Sequence, residues 1–244
     1  MTGVRVLAVV AAVLCGGGST SAALVDAIQK PAAKKPATTT KTPTTKKPAP
    51  VPARLAEAPE VTCPQVLGMG VGSRLRFCDV MTGLEPAQGI VVRFPPHDGA
   101  LTLTFDLHNR HTYSEQEVQA GRAFAQYTAT VGALAMDGTL IARGVVQSEF
   151  RTARDLFDRV GGGAGPGGVK AVAPTGMERI VVEIPAGVNE VSILGEKLSV
   201  TGLDGTDLFT SANRPIAVVS NFSIDYKPLK KPAPKPTTKK PVKK

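Results

Sequence analysis

Tryptophan is absent from this chain, and only three of its residues are tyrosine, Tyr113, Tyr127 and Tyr226. A sheet built from it therefore has few flat faces on which to stack sugars or bases. Histidine is as scarce, at His97, His108 and His111, which restricts imidazole chemistry to one neighbourhood. No Gly-x-Ser-x-Gly elbow occurs, so a hydrolase of the strand–nucleophile–helix type has no footing. The glycine run at 161–168, GGGAGPGG, has no Gly-Lys-Ser/Thr after it and follows a helix-like stretch instead of a strand. A phosphate cradle needs the opposite order, so the run reads as a flexible surface loop. Alternation of helices with strands is also missing, which excludes a parallel α/β sheet.

No apolar run is long enough for a permanent bilayer span. The run VLAVVAAVLC at 6–15 follows Arg5 and precedes the small residues GGGSTSAA. This order is that of a cleavable export signal, with cleavage expected near Ala22 or Ala23. Cleavage removes Cys15 and leaves Cys63 and Cys78, which in an exported protein are expected to pair. Lipidation at Cys15 would be the other use of that residue, but Leu14 is large for the position before a modified cysteine.

What the chain has in abundance is lysine and proline at its ends. Residues 30–52 and 227–244 are mainly Lys, Pro, Ala and Thr, with too little apolar surface to offset chain entropy. The organisation expected is a signal peptide at 1–23, a disordered linker at 24–60, a folded domain at 61–226 and a disordered basic tail at 227–244. Residues 61–226 hold 13 Arg and Lys against 17 acids, whereas 227–244 hold 8 Lys and no acid. The net charge of +9 thus belongs to the arms, and the domain between them is mildly acidic. Lys230, Lys231, Lys235, Lys239, Lys240, Lys243 and Lys244 are the residues expected to bind electrostatically.

The domain reads as β throughout. Leu101, Leu103, Phe105 and Leu107 alternate with Thr102, Thr104, Asp106 and His108, the pattern of a half-buried strand. Strands are also expected at 61–67, 74–80, 90–94, 179–184, 191–194, 198–201 and 216–226, with 203–213 as a polar connection. Asp137-Gly138 between two long apolar-rich runs is a hairpin signal, and Gly132 and Gly144 are where bulges are expected. Leu156, Phe157 and Val160 stand at helical spacing, which predicts one short amphipathic helix within 151–160. Seven or more strands with turn signals every 8–14 residues predict an antiparallel β-sandwich or jelly roll.

Asp106, His108 and His111 are the residue types of a transition-metal site. Asp106 and His108 share a strand face, but His111 joins them only if the chain turns at HNRH, because strand positions three apart face opposite ways. A proton-transfer role for a histidine with Glu115 or Glu117 uses the same stretch. The alternative is a polar strand end without metal, and no cofactor is expected. The loop at 203–207 has oxygen donors for calcium but not the density of a dedicated site. Asn221-Phe222-Ser223 matches a glycosylation sequon.

Two functions follow as expectations. The first is a non-enzymatic, exported, envelope-associated β-sandwich, periplasmic, cell-surface or secreted, whose cationic arms contact anionic envelope polymers or a membrane surface. A protein or glycan ligand on the sandwich loops is compatible with it, whereas nucleic acid as partner is opposed by the export signal. The second is an exported metal-dependent or hydrolytic enzyme centred on Asp106, His108 and His111. The scarcity of catalytic motifs weighs against an enzyme.

Overall fold

The computed structural model describes residues 53–160 and 171–229. The expected signal peptide, the linker up to residue 52, the glycine run and Lys230 to Lys244 lie outside the described residues.

The described residues form two antiparallel sheets of six strands each. One runs β3 (Val66–Met69), β4 (Arg76–Met81), β12 (Pro215–Tyr226), β6 (Leu101–Tyr113) and β9 (Ala171–Ile184), with β1 (Leu55–Glu57) also on β12. The other runs β2 (Glu60–Thr62), β5 (Ile90–Arg93), β10 (Glu190–Gly202), β7 (Ala125–Ala135) and β8 (Leu140–Phe150), with β11 (Gly205–Phe209) on β10. The fold is an all-β sandwich. Its core lies between the sheets, where Leu101, Leu103, Phe105 and Leu107 meet Val131, Phe150, Ile193 and Val191, all essentially buried. Alternation of apolar and polar residues places each strand's apolar half there.

Several boundaries depart from the sequence pattern. The folded part starts at Leu55, ahead of residue 61, and strand β1 covers the flank of β12. Its other end continues past residue 226, since the Lys227 carbonyl accepts from Asp98 N and the Leu229 amide donates to the Pro96 carbonyl. The strand expected at 61–67 is divided, β2 joining one sheet and β3 the other. Pro64, which cannot donate to a ladder, lies in the break. The expected strand at 198–201 is the far half of β10, beyond a register shift between Gly195 and Lys197. The expected polar connection contains β11, which folds back on β10.

The Asp137-Gly138 hairpin forms, with Gly138 at φ +86° and the Thr139 amide donating to Asp137 Oδ1 at 2.9 Å. The register shift of its ladder falls between Ala133 and Leu134, not at Gly132 or Gly144. Gly144 lies directly against Ile180 of β9, and a Cβ there would stand 3.1 Å from that side chain.

The helix expected in 151–160 is a single 3₁₀ turn, Ala153–Asp155, stopped by extended backbone. Thr152 and Asp155 cap the turn reciprocally. Beyond it Leu156 bridges to Thr175 and the Phe157 amide donates to the Pro174 carbonyl at 2.9 Å. Backbone groups satisfied by a neighbouring strand have no need of a helix. The helix among the described residues is α1 (Glu115–Gln119), which follows β6 and carries Glu115 and Glu117 in its first turn. Cys63 and Cys78 are joined by a disulfide, which ties the segment after β2 to β4 and hence one sheet to the other.

Candidate functional site

Strand β6 alternates without interruption for all 13 residues. Leu107, Asn109 and His111 point between the sheets, while Asp106, His108 and Arg110 point outward. HNRH is therefore strand and not turn, and the residues that a turn there would have brought together are divided between two faces.

On the outer face the polar groups are buried by what covers them. His108 is fully buried beneath Phe157, whose ring centroid is 4.4 Å away, and against the edge of Phe77. Its Nδ1 donates to the Gly176 carbonyl at 2.7 Å, which leaves Nε2 to accept from Ser220 Oγ at 2.9 Å. Gly176 can do this because β9 has one extra residue opposite His108, the ladder shifting between Leu107 and Asn109. Its φ is +65°, and a Cβ would meet Ser148 at 2.6 Å, so only glycine fits. Burial pulls the His108 pKa down, although the Gly176 bond and the charge of Asp106 pull the other way. The ring stays neutral.

Asp106 is engaged by Arg179, at 2.8 and 3.2 Å, and by the Asn221 amide at 2.8 Å. Burial disfavours its charge, but these hydrogen bonds and the Arg179 charge outweigh it and hold the carboxyl below its usual range. The amide of the sequon residue Asn221, which has φ +54°, is thus occupied within the fold. Further along, Arg110 pairs with the buried Asp79 at 2.9 Å. The segment that closes this face is pinned by Asp158, which accepts from Gly72 N, Ser73 N and Ser73 Oγ at 3.0, 2.8 and 2.5 Å. Burial works against the Asp158 charge, yet the bonds from Ser73, Gly72 and Arg159 bring its pKa to about 2.

His111 sits on the core face at the end of β6. Its ring stacks on Phe150 at 3.6 Å, and Nδ1 lies 2.6 Å from the Tyr127 hydroxyl. Burial alone lowers its pKa to about 4 and raises that of Tyr127 to about 12. His111 Nε2 is buried without a hydrogen-bond partner among the described residues. The residue, though not this buried atom, borders a half-open cavity of about 200 Å³ that is also lined by Thr112, Ser114, Glu117, Arg122, Ala123, Ala125 and Tyr127. It occupies the mouth of the sandwich, where the β6–α1–β7 connection crosses from one sheet to the other. Tyr113 bonds Glu115, and Glu117 bonds Arg122, so neither glutamate partners a histidine.

His97 is separate from both sites, its Nδ1 donating to the Pro95 carbonyl at 3.0 Å and its ring edge-on to Phe94. Among the described residues no three His, Cys, Asp or Glu side chains gather as a metal would require. Asp204 and Asp207 lie on the β10–β11 hairpin without a third such ligand. Sequence reasoning missed Ser220 and Gly176, which reach His108 from strands distant in the chain, and Tyr127, which reaches His111 from the next strand, β7. The one local signal was the continued period of two through Asn109 and His111.

No protein family and no characterised protein matches the chain by sequence. Among solved structures it is similar to the K1 cleaved adhesin domain of Lys-gingipain from Porphyromonas gingivalis W83, at 8% identity. That superposition covers 73% of this chain and 99% of the other, with a TM-score of 0.31. A catalytic domain of an α-1,3-glucanase in complex with nigerose is similar at 11% identity and a TM-score of 0.21, covering 75% of this chain and 28% of that one. The subviral particle of infectious bursal disease virus is similar at 12% identity and a TM-score of 0.22, covering 71% and 33%. Likeness this slight carries no argument about function.

Proposed function

We propose that the protein is an exported, non-enzymatic β-sandwich that binds or scaffolds at the cell envelope, held to anionic surface polymers by its lysine-rich arms. The observation that carries this reading is the partition of charge. Residues 61–226 have four more acids than bases, and the excess of positive charge falls in the flanking Lys- and Pro-rich segments. A polyanion has little reason to settle on the domain and every reason to settle on the arms.

Three further observations support it. The Cys63–Cys78 disulfide suits an oxidising compartment, and the apolar run after Arg5 suits export. No helix among the described residues is long and apolar enough to cross a membrane. The enzyme reading has no comparable support, because His108 and His111 face opposite sides of β6.

The test is binding of the exported chain to teichoic acid, lipopolysaccharide and duplex DNA, beside a chain ended after Leu229. That end point keeps the contacts of Lys227 and Leu229 with residues 96–98. The reading expects the shortened chain to bind each polymer much more weakly. Equal binding by the full chain and by residues 53–229, which lack both arms, would overturn it.

A further inference from the structure

Strand β9 is the last strand of its sheet, and the two halves of its outer edge are finished differently. Near its start the edge is covered, since Leu156 bridges to Thr175 and the Phe157 amide donates to the Pro174 carbonyl. From Glu178 to Ile184 the strand pairs on one side only, in unbroken register with Leu107 to Leu101 of β6. Strand β8 of the other sheet lies beneath this half, where Gly144 meets the Ile180 side chain. Among the described residues no backbone hydrogen bond joins β8 to it. The far edge is therefore open to one more strand.

Open edges are usually blunted by lysine, proline, a bulge or a cover. The stretch Glu178–Ile184, ERIVVEI, contains neither lysine nor proline, and its register does not shift. It is rich instead in the β-branched residues that suit strands. Its outward row is Arg179, Val181 and Glu183. Val181 is 61% exposed in mid-strand. Arg179 is fixed by its two hydrogen bonds to Asp106, yet 56% of its side chain stays exposed. Glu183 is exposed and has no ion pair among the described residues.

This row is complementary to itself. Residues opposite one another in an antiparallel pair share a face and interact. A second copy turned about a two-fold axis at Val181 sets Val181 against Val181 and, on either side of it, Arg179 against Glu183. Sliding the copies to the next register that keeps the faces matched puts Arg179 or Glu183 opposite a valine. A slip of one residue turns the row to the other face. One register alone serves both the apolar and the charged positions, and a second copy carries the matching row by identity. Such an isologous contact closes at two chains.

We propose that two copies of this chain pair through Glu178–Ile184 of β9, antiparallel about Val181, so that their sheets join into one. The pairing is independent of the arms.

The test is sedimentation of the full chain at physiological ionic strength, over increasing protein concentration. A single pair of short strands is a small interface, so the expected result is a reversible monomer–dimer equilibrium with a Kd on the order of 10 µM. Glu183→Arg sets like charges opposite each other on both sides of the axis and should weaken the dimer roughly tenfold or more. Val181→Lys, which brings two ammonium groups together at the axis, should do the same. Both positions are exposed, and an unchanged melting temperature of the monomer shows that each variant keeps its fold. Val181→Cys reads the register, because opposed residues have Cα atoms about 4.5–5.5 Å apart, within the span of a disulfide. Mild oxidation should link it into a covalent dimer, whereas Leu208→Cys, similarly exposed on β11, should link far less. The proposal is overturned if the full chain stays monomeric, if the two charged variants associate as the unaltered chain does, or if Val181→Cys links no better than Leu208→Cys.

Discussion

A buried neutral histidine makes a fold sensitive to acid, and this one has two. The folded pKa of His111 is near 4 against 6.5 when unfolded, and that of His108 is lowered as well. Between these values the unfolded chain binds protons that the folded chain refuses. Stability is therefore complete above 6.5 and falls as the pH descends towards 4, by on the order of 3 kcal/mol for His111. Urea unfolding across that window should show the decline, and His111→Phe should flatten it; a flat profile in the unaltered protein would contradict the burial. Asp79 supplies the opposite case. Burial raises its pKa although Arg110 counters with a hydrogen bond and its charge. Arg110→Met should cost about 3 kcal/mol by stranding a buried carboxylate. A raised folded pKa makes that loss larger in alkaline than in mildly acidic buffer, which paired urea titrations would reveal. The side chains of these sites were partly legible. The alternation from Leu101 to Leu107 continues through Asn109, His111 and Tyr113, so the core-facing side of His111 follows from the period alone. A turn at HNRH stayed open in the sequence because Tyr127, which meets Nδ1, and Phe150, on which the ring stacks, lie 16 and 39 residues further on.

Elements were legible where their signals are local. Asp137-Gly138 makes its hairpin from the conformation those two residues favour. The segment 151–160 was misread because Leu156, Phe157 and Val160 stand at helical spacing, whereas their partners, Pro174, Thr175 and Gly70, belong to other parts of the chain. This segment is a cover over His108, and Asp158 is its fastening. Asp158→Asn should speed hydrogen exchange at the Gly72 and Ser73 amides and raise solvent access to His108, while global stability falls by only about 1 kcal/mol. Unchanged exchange at those amides would show that Asp158 does not fasten it. The disulfide acts on the same scale. A 15-residue separation implies roughly 3 kcal/mol, so reduction should lower the melting temperature by about 6–12 °C. Two thiols titrating in the unreduced folded protein would contradict the bridge.

For the whole molecule, the sandwich was readable from the spacing of strands and turns, while the assignment of strands to sheets was not, since it rests on pairings such as β6 with β12 and β9 that span most of the domain. The charge partition was readable from composition alone, and the structure sharpens one detail of it. Lys227 is bound to Asp98 within the fold, so the C-terminal arm offers a polymer the seven lysines from Lys230 onward. Lysine binds as a point charge, without the planar fork of arginine, so phosphate and carboxylate polymers should be held alike. The central claim is that the lysine-rich arms, and not the domain, hold the protein to polyanions. The most direct measurement is the salt dependence of binding to duplex DNA as a model polymer, for the full chain and for the chain ended after Leu229. Each neutralised phosphate contributes about −0.9 to the slope of log affinity against log salt, so the loss of seven lysines should make the slope shallower by about 6. Identical slopes for the two chains would contradict the account.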